Sequence, residues 1–251
     1  VFAAAAPAGG RAEPLAAIYD AFWAGLPAAR IRLEIDGGAG RYRDAIVISS
    51  DGLPRLVTRF RGNATAEGRR GPQRPAEPLR YDAVYDLRKR RNSRISMRFV
   101  DRAGARIAER GPDDTSRKPP LAEAYRRDAV DPLSALERIR EALRASALDA
   151  GGPGFTVPVY DGARRFDVRG RVLPQADRGD HALQVLLTLR PIAGFKGESS
   201  DDGDPENMPR PARLTVDDRQ LLPLSVEVKV YYLPLVVRLD HVCPTPSACR
   251  L

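Results

Sequence analysis

A single capped helix, set in a chain otherwise patterned for strands, limits this protein's folding options more than any other feature. Asp131-Pro132-Leu133-Ser134-Ala135-Leu136 opens it. The carboxylate can cap free backbone N–H groups, and the proline's fixed φ suits the first helical position. Leu133, Leu136, Ile139 (or Arg140) and Leu143 then recur at helical spacing and define an apolar face. Glu137 with Glu141, and Arg138 with Arg144, are expected on the wet side. Gly151-Gly152-Pro153-Gly154 stops the helix with residues that cannot continue it. Residues 155–160, a tight Asp161-Gly162 turn and residues 164–171 read as a β-hairpin.

The remainder alternates. Residues 18–25 suit a strand, which Leu26-Pro27 breaks. Ile31, Leu33 and Ile35 face one way against Arg30, Arg32 and Glu34, and Tyr42, Ile46 and Ile48 share a face on the returning strand. Leu56, Thr58 and Phe60 alternate with arginines. Residues 68–78 read as a Pro/Gly/Arg loop, 79–87 and 95–100 as a strand pair, and 106–109 as a short strand. Residues 181–189, 212–216, 222–231 and 235–239 complete the set. About a dozen short strands with turn signals between them suggest an antiparallel meander. Such a sheet cannot stay flat, because strand twist accumulates. The expected fold is therefore mainly β (α+β): a strongly curved antiparallel meander, an incomplete barrel or spiral, wrapped around one central helix. The expected division is a loose segment 1–14, one domain over 15–241 and a tail over 242–251.

Composition narrows function mostly by exclusion. The net charge of +8 invites an anionic partner. Yet only Lys89, Lys118, Lys196 and Lys229 are lysines, and an arginine-rich, Ala/Gly/Pro-rich composition is what a G·C-rich genome produces. No run of about 18 apolar residues marks a membrane-spanning helix. The start Val-Phe-Ala-Ala-Ala-Ala-Pro-Ala resembles the tail of a cleaved secretory signal, so export is expected. Cys243 and Cys249 lack further ligands at zinc spacing, and a small loop disulfide between them fits an oxidising compartment.

Several segments, in order, carry a family resemblance. They are Asp131-Pro132-Leu133-Ser134-Ala135-Leu136, Tyr160-Asp161-Gly162-Ala163-Arg164-Arg165-Phe166-Asp167-Val168, Leu189-Arg190-Pro191-Ile192-Ala193-Gly194-Phe195 and Leu222-Pro223-Leu224-Ser225-Val226. Together they resemble the domain-of-unknown-function family 3108, over residues 18–239. The resemblance implies a secreted protein of Gram-negative cell envelopes, periplasmic, with a curved sheet and helix similar to lipoprotein-carrier and envelope-integrity proteins. The family has no established catalytic residues to carry over. The absence of a lipobox cysteine argues against lipid anchoring.

Candidate sites follow from residue chemistry. No nucleophile elbow, His-Glu-x-x-His or phosphate-cradling glycine motif occurs, so no catalytic residue and no cofactor is expected. His181 and His241 read as surface or strand-edge residues. Asp201, Asp202, Asp204 and Glu206 lack the terminal glutamate of a calcium loop, and no metal site is expected. Arg88, Lys89, Arg90, Arg91 and Arg94 form the best anionic-ligand patch, at a hairpin tip where lipid phosphate, lipopolysaccharide or an acidic envelope protein can dock; a solvated tip is the plainer reading. Peripheral membrane contact fits the same patch. Nucleic acid is not expected, since stacking platforms are absent beside it. Phe22, Trp23, Phe60, Phe99, Leu136 and Phe166 are candidates to line an apolar cavity for a lipid tail, against simple core packing. Three readings of function result: a non-catalytic envelope binding protein, a carrier of lipid or lipoprotein, and an unrecognised hydrolase.

Overall fold

The computed structural model describes residues 14–38, 40–50, 60–71, 74–87, 90–116, 119–148, 154–174, 182–195, 208–230 and 232–251. Among the described residues thirteen strands form one sheet. They are β1 (Leu15–Trp23), β2 (Leu26–Gly38), β3 (Arg41–Ser50), β4 (Arg61–Gly71), β5 (Arg74–Leu87), β6 (Arg90–Arg102), β7 (Ala105–Arg110), β8 (Phe155–Tyr160), β9 (Arg165–Val172), β10 (Ala182–Ala193), β11 (Arg210–Asp217), β12 (Pro223–Val230) and β13 (Leu233–Cys243). A one-turn helix α1 (Glu123–Arg126) and the long helix α2 (Pro132–Leu148) lie between β7 and β8. Spatial order runs β7 back to β1, then β13 back to β8. All neighbours are antiparallel, and β1 and β13 sit side by side at the middle. The mainly β, barrel-like meander expected from strand spacing is what forms.

The sheet's two edges, β7 and β8, are joined by the chain that leads into α2. Asp128 donates its N–H to Arg106 O (2.7 Å) on β7. Two residues later Val130 donates to Pro158 O and accepts from Tyr160 N–H on β8, both at 2.8 Å. Residues 127–130 thus act as a strap across the seam and cover both edges, which would otherwise offer unpaired backbone groups.

Three inner clusters fill the space behind the sheet, and α2 contributes to each. Ala135, Ile139 and Leu143 pack with Val157, Val168, Val185 and Leu214. Leu133 packs with Tyr42, Tyr81, Met97 and Phe99. Leu136 packs beside Tyr19, Leu33 and Leu222. The first half of the helix is therefore enclosed on every side, and the expected wet face is corrected: Glu137 is fully buried. Only Arg144, in the second half, reaches solvent as foreseen.

Three local expectations also change. Residues 68–78 are strand rather than loop for their described part, because register shifts at Gly68 and Gly71 absorb the glycines and prolines. Pro27 does not end a strand; it lies in β2 opposite Phe22 at a register shift. The two-residue turn is Ala24-Gly25, both at positive φ, as a type I′ hairpin requires. Asp161 opens a four-residue turn, its Oδ1 accepting from Ala163 and Arg164 N–H. The C-terminal tail is no appendage. Cys243 and Cys249 are disulfide-bonded and pack with Ala16 and Ile18 on the face of β1 opposite the helix.

Candidate functional site: an ionisable core around the helix

The helix is held by apolar contacts toward β8–β11 and by polar ones toward β3–β5. Asp131 caps its N-terminus, its Oδ1 accepting from Leu133 N–H (3.0 Å) and Ser134 N–H (2.9 Å). Ser134 Oγ in turn accepts from Tyr42 O–H on β3 at 2.7 Å. One turn on, Glu137 accepts from Arg70 Nη1 of β4 at 2.9 Å and from Arg140 of its own helix. Arg70 also donates to Gly37 O (2.9 Å), and Arg140 to Gln220 O (3.1 Å). A further turn on, Glu141 accepts the Ala76 N–H while Arg138 donates to Ala76 O, so one residue of β5 is clamped through both backbone groups.

Asp44 stands apart within this network. It is fully buried, and neither carboxylate oxygen has a protein hydrogen-bond partner. Tyr19 Oη and Arg140 Nε are likewise buried and unpaired. Burial, reinforced by the Glu137 carboxylate, pushes Asp44 up to about 8, so it is protonated at neutral pH. Burial also lifts Asp131 to about 6, against the hydrogen bonds from Ser134 and Leu133 that favour its ionised form. The proton on Asp44 spares a further buried negative charge in an interior that already holds the carboxyls of Asp131 and Glu137 beside Arg70 and Arg140.

The expected site residues are not brought together. Phe99 belongs to the cluster around Tyr42, Phe166 to that of β8–β11, and Leu136 to that of β1 and β2. Phe60 is half-buried and lies over Gly62, Phe22 is half-buried, and Trp23 is exposed at one end of the barrel. These six do not fall in one cluster. Arg94 is exposed on the outer wall beside Val84. There it borders a shallow depression of about 360 Å³ that also touches Val47, Asn63, Thr65 and Arg80. Arg88 and Lys89 lie outside the described residues, as do the side chains of Arg90 and Arg91 and the whole of Asp201, Asp202, Asp204, Glu206 and His181. His241 is exposed with Nδ1 3.0 Å from Asp240. Among the described residues no group of three or more His, Cys, Asp or Glu side chains is placed to hold a metal.

The buried cluster was missed because a helical wheel treats charge as solvent-facing. A signal was present in β3: Asp44 shares the alternation phase of Tyr42, Ile46 and Ile48, so a carboxylate stands where only buried side chains belong.

A closed-up antiparallel meander, with a helix and an ionisable cluster inside it, defines a barrel-like class of domain, and among the described residues no helix is long and apolar enough to cross a membrane. The chain belongs to the family described as Protein of unknown function (DUF3108), whose model matches residues 18–179. The match ends before β10, although β10–β13 complete the same sheet. A beta-barrel-like protein of the DUF1849 domain of unknown function from Brucella abortus is similar in structure, with a TM-score of 0.60 and 12% identity over 92% of this chain and 98% of that one. That likeness concerns the fold alone. No curated protein matches.

Proposed function

We propose that this protein works in the Gram-negative periplasm as a non-catalytic binding protein, recognising an envelope component or a protein partner through its exterior. One observation carries the choice of surface: α2 contributes to all three inner clusters and is enclosed over its first half, so the barrel's interior is occupied by its own chain. A carrier of lipid tails needs that space and needs it apolar, whereas Asp44, Glu137, Arg70 and Arg140 line it here. The exterior offers the depression beside Arg94 and Arg80, where Asp82 holds Arg80 in an ion pair and Arg94 is the group offered to phosphate or carboxylate. The disulfide is compatible with an exported protein.

The test is native mass spectrometry of protein purified without detergent from its own envelope, alongside fractionation of the source cells. The expected result is a periplasmic protein without stoichiometric bound lipid, retaining an anionic component that Arg94→Glu releases. A lipid retained one-to-one, and unaffected by Arg94→Glu, would restore the carrier reading. A cytoplasmic location would remove the envelope role.

A further inference from the structure

In an antiparallel meander, alternate turns leave at opposite ends. Large hydrophobic residues exposed among the described residues number ten, and they are not spread evenly. Six of them, Trp23, Leu26, Ile192, Met208, Tyr232 and Leu233, lie at one end. Trp23 and Leu26 flank the Ala24-Gly25 turn of the β1–β2 hairpin. Tyr232 and Leu233 lie at the β12–β13 turn, where Val230 pairs with Leu233. Ile192 is near the end of β10, and Met208 stands just before β11 begins. The opposite end contributes Val242 from the strands. Isolated surface apolar residues need no explanation, but their concentration on hairpin turns, normally polar, does.

The two central tips form one unit. Ala24 donates its N–H to Pro234 O at 2.8 Å, and Trp23 pairs with Leu235 across β1 and β13. Tyr232 is 84% exposed at positive φ, in a turn that holds the ring away from the core. The unit lies at the end of the sheet and leaves Tyr232 largely exposed. Trp and Tyr, apolar bodies with one polar atom, are the residues that favour the headgroup region. Exposed cations border the same end: Arg61 at the start of β4, Lys229 beside Pro234, and Arg164 in the β8–β9 turn. With a net charge of +8 they complement an anionic leaflet.

We infer that this apolar rim docks the barrel end-on to a lipid bilayer, with Trp23, Leu26, Tyr232 and Leu233 set into the interfacial region. The inference depends on the exterior reading of function only in leaving the interior undisturbed; it does not depend on what Arg94 binds. Apolar insertion is the main contribution, and the cations at this end add to it.

Trp23 is the single tryptophan and reports directly on insertion. The experiment mixes the full chain with phosphatidylcholine vesicles and with vesicles of equal parts phosphatidylethanolamine and phosphatidylglycerol, some carrying brominated acyl chains. The expected result is a blue-shifted Trp23 emission that brominated lipid quenches, stronger on the anionic vesicles. The double variant Leu26→Glu/Leu233→Glu should reduce vesicle partitioning by about tenfold or more, since both side chains are lost from the inserted surface. Its melting curve should match the parent's; if it fails to fold, quenching of the unmodified protein decides alone. Emission unmoved by either vesicle at low salt overturns the inference. So does partitioning that survives the double variant but is lost in Arg61→Glu/Lys229→Glu, which is charge adsorption without insertion. A double variant that leaves vesicles unaffected but changes the oligomeric mass identifies a protein interface instead, and equally overturns it.

Discussion

Asp44 is held by β3 with its carboxyl facing the helix, and the groups around it are Glu137, Arg140, Asp131 and Arg70. Its folded pKa lies near 8, above its ordinary value, so the native state binds a proton that the unfolded chain releases between about pH 4 and 8. The stability tied to that proton is fully present below pH 4, declines as pH rises through this window, and is gone above it. Asp44→Asn removes the titration and keeps the shape. The variant's melting temperature should exceed the parent's by several degrees at pH 9, each ~1 kcal/mol being worth ~2–4 °C at this size. The gap should narrow steadily toward pH 4. A gap that stays constant across the range would mean that Asp44 does not hold the proton. Gly68 shows how a single residue supports the same site: a Cβ there would meet the Tyr42 ring at 2.3 Å, and that ring carries the hydrogen bond to Ser134. Neither role was legible beforehand. Alternation identified the inner phase of β3, but one polar residue within it reads as an exception until its neighbours on the helix are in place.

At the scale of elements, strand alternation and turn residues gave the meander, since period-two patterning depends only on one face being buried. The helix start was equally legible, because Asp131 and Pro132 are local signals and the cap forms as local chemistry dictates. The helix's surroundings were not, because its polar face meets β3–β5 through ion pairs that no single-element pattern contains. The distribution of burial sharpens an expectation about which residue anchors α2. Leu143 is almost fully buried in the β8–β11 cluster, while Leu136 is only half-buried beside β1 and β2. Leu143→Ala should therefore cost about 2–5 kcal/mol, and Leu136→Ala clearly less, since the loss scales with the enclosed cavity. Urea unfolding of the two variants checks the order. Equal losses would place the weight of the helix on the β1–β2 side instead.

For the whole molecule, closure is the question that alternation alone could not answer. A meander of thirteen strands reads equally as a spiral or as a barrel, and what decides is a strap of four residues, 127–130, that carries no hydrophobic period. Asp128 secures one edge twice, through its own N–H to Arg106 O and through Oδ1 accepting Arg106 N–H at 2.9 Å. It does so at φ 53, a conformation that Asp tolerates better than most residues. Val130 secures the other edge, and the next residue caps α2, so seam and helix are consecutive in the chain. Opening of the seam should therefore be coupled to undocking of the helix N-terminus. In native-state hydrogen exchange, the amides of Asp128, Val130 and Tyr160 should exchange as one group with those of Leu133 and Ser134. That group should exchange sooner than β1, which has paired strands on both sides. Asp128→Ala removes one of the two bonds to Arg106 and should speed the whole group, leaving β1 unchanged. If the variant speeds only Arg106 and Asp128, the seam opens independently of the helix, and the strap is a local edge cover rather than the closure of the barrel.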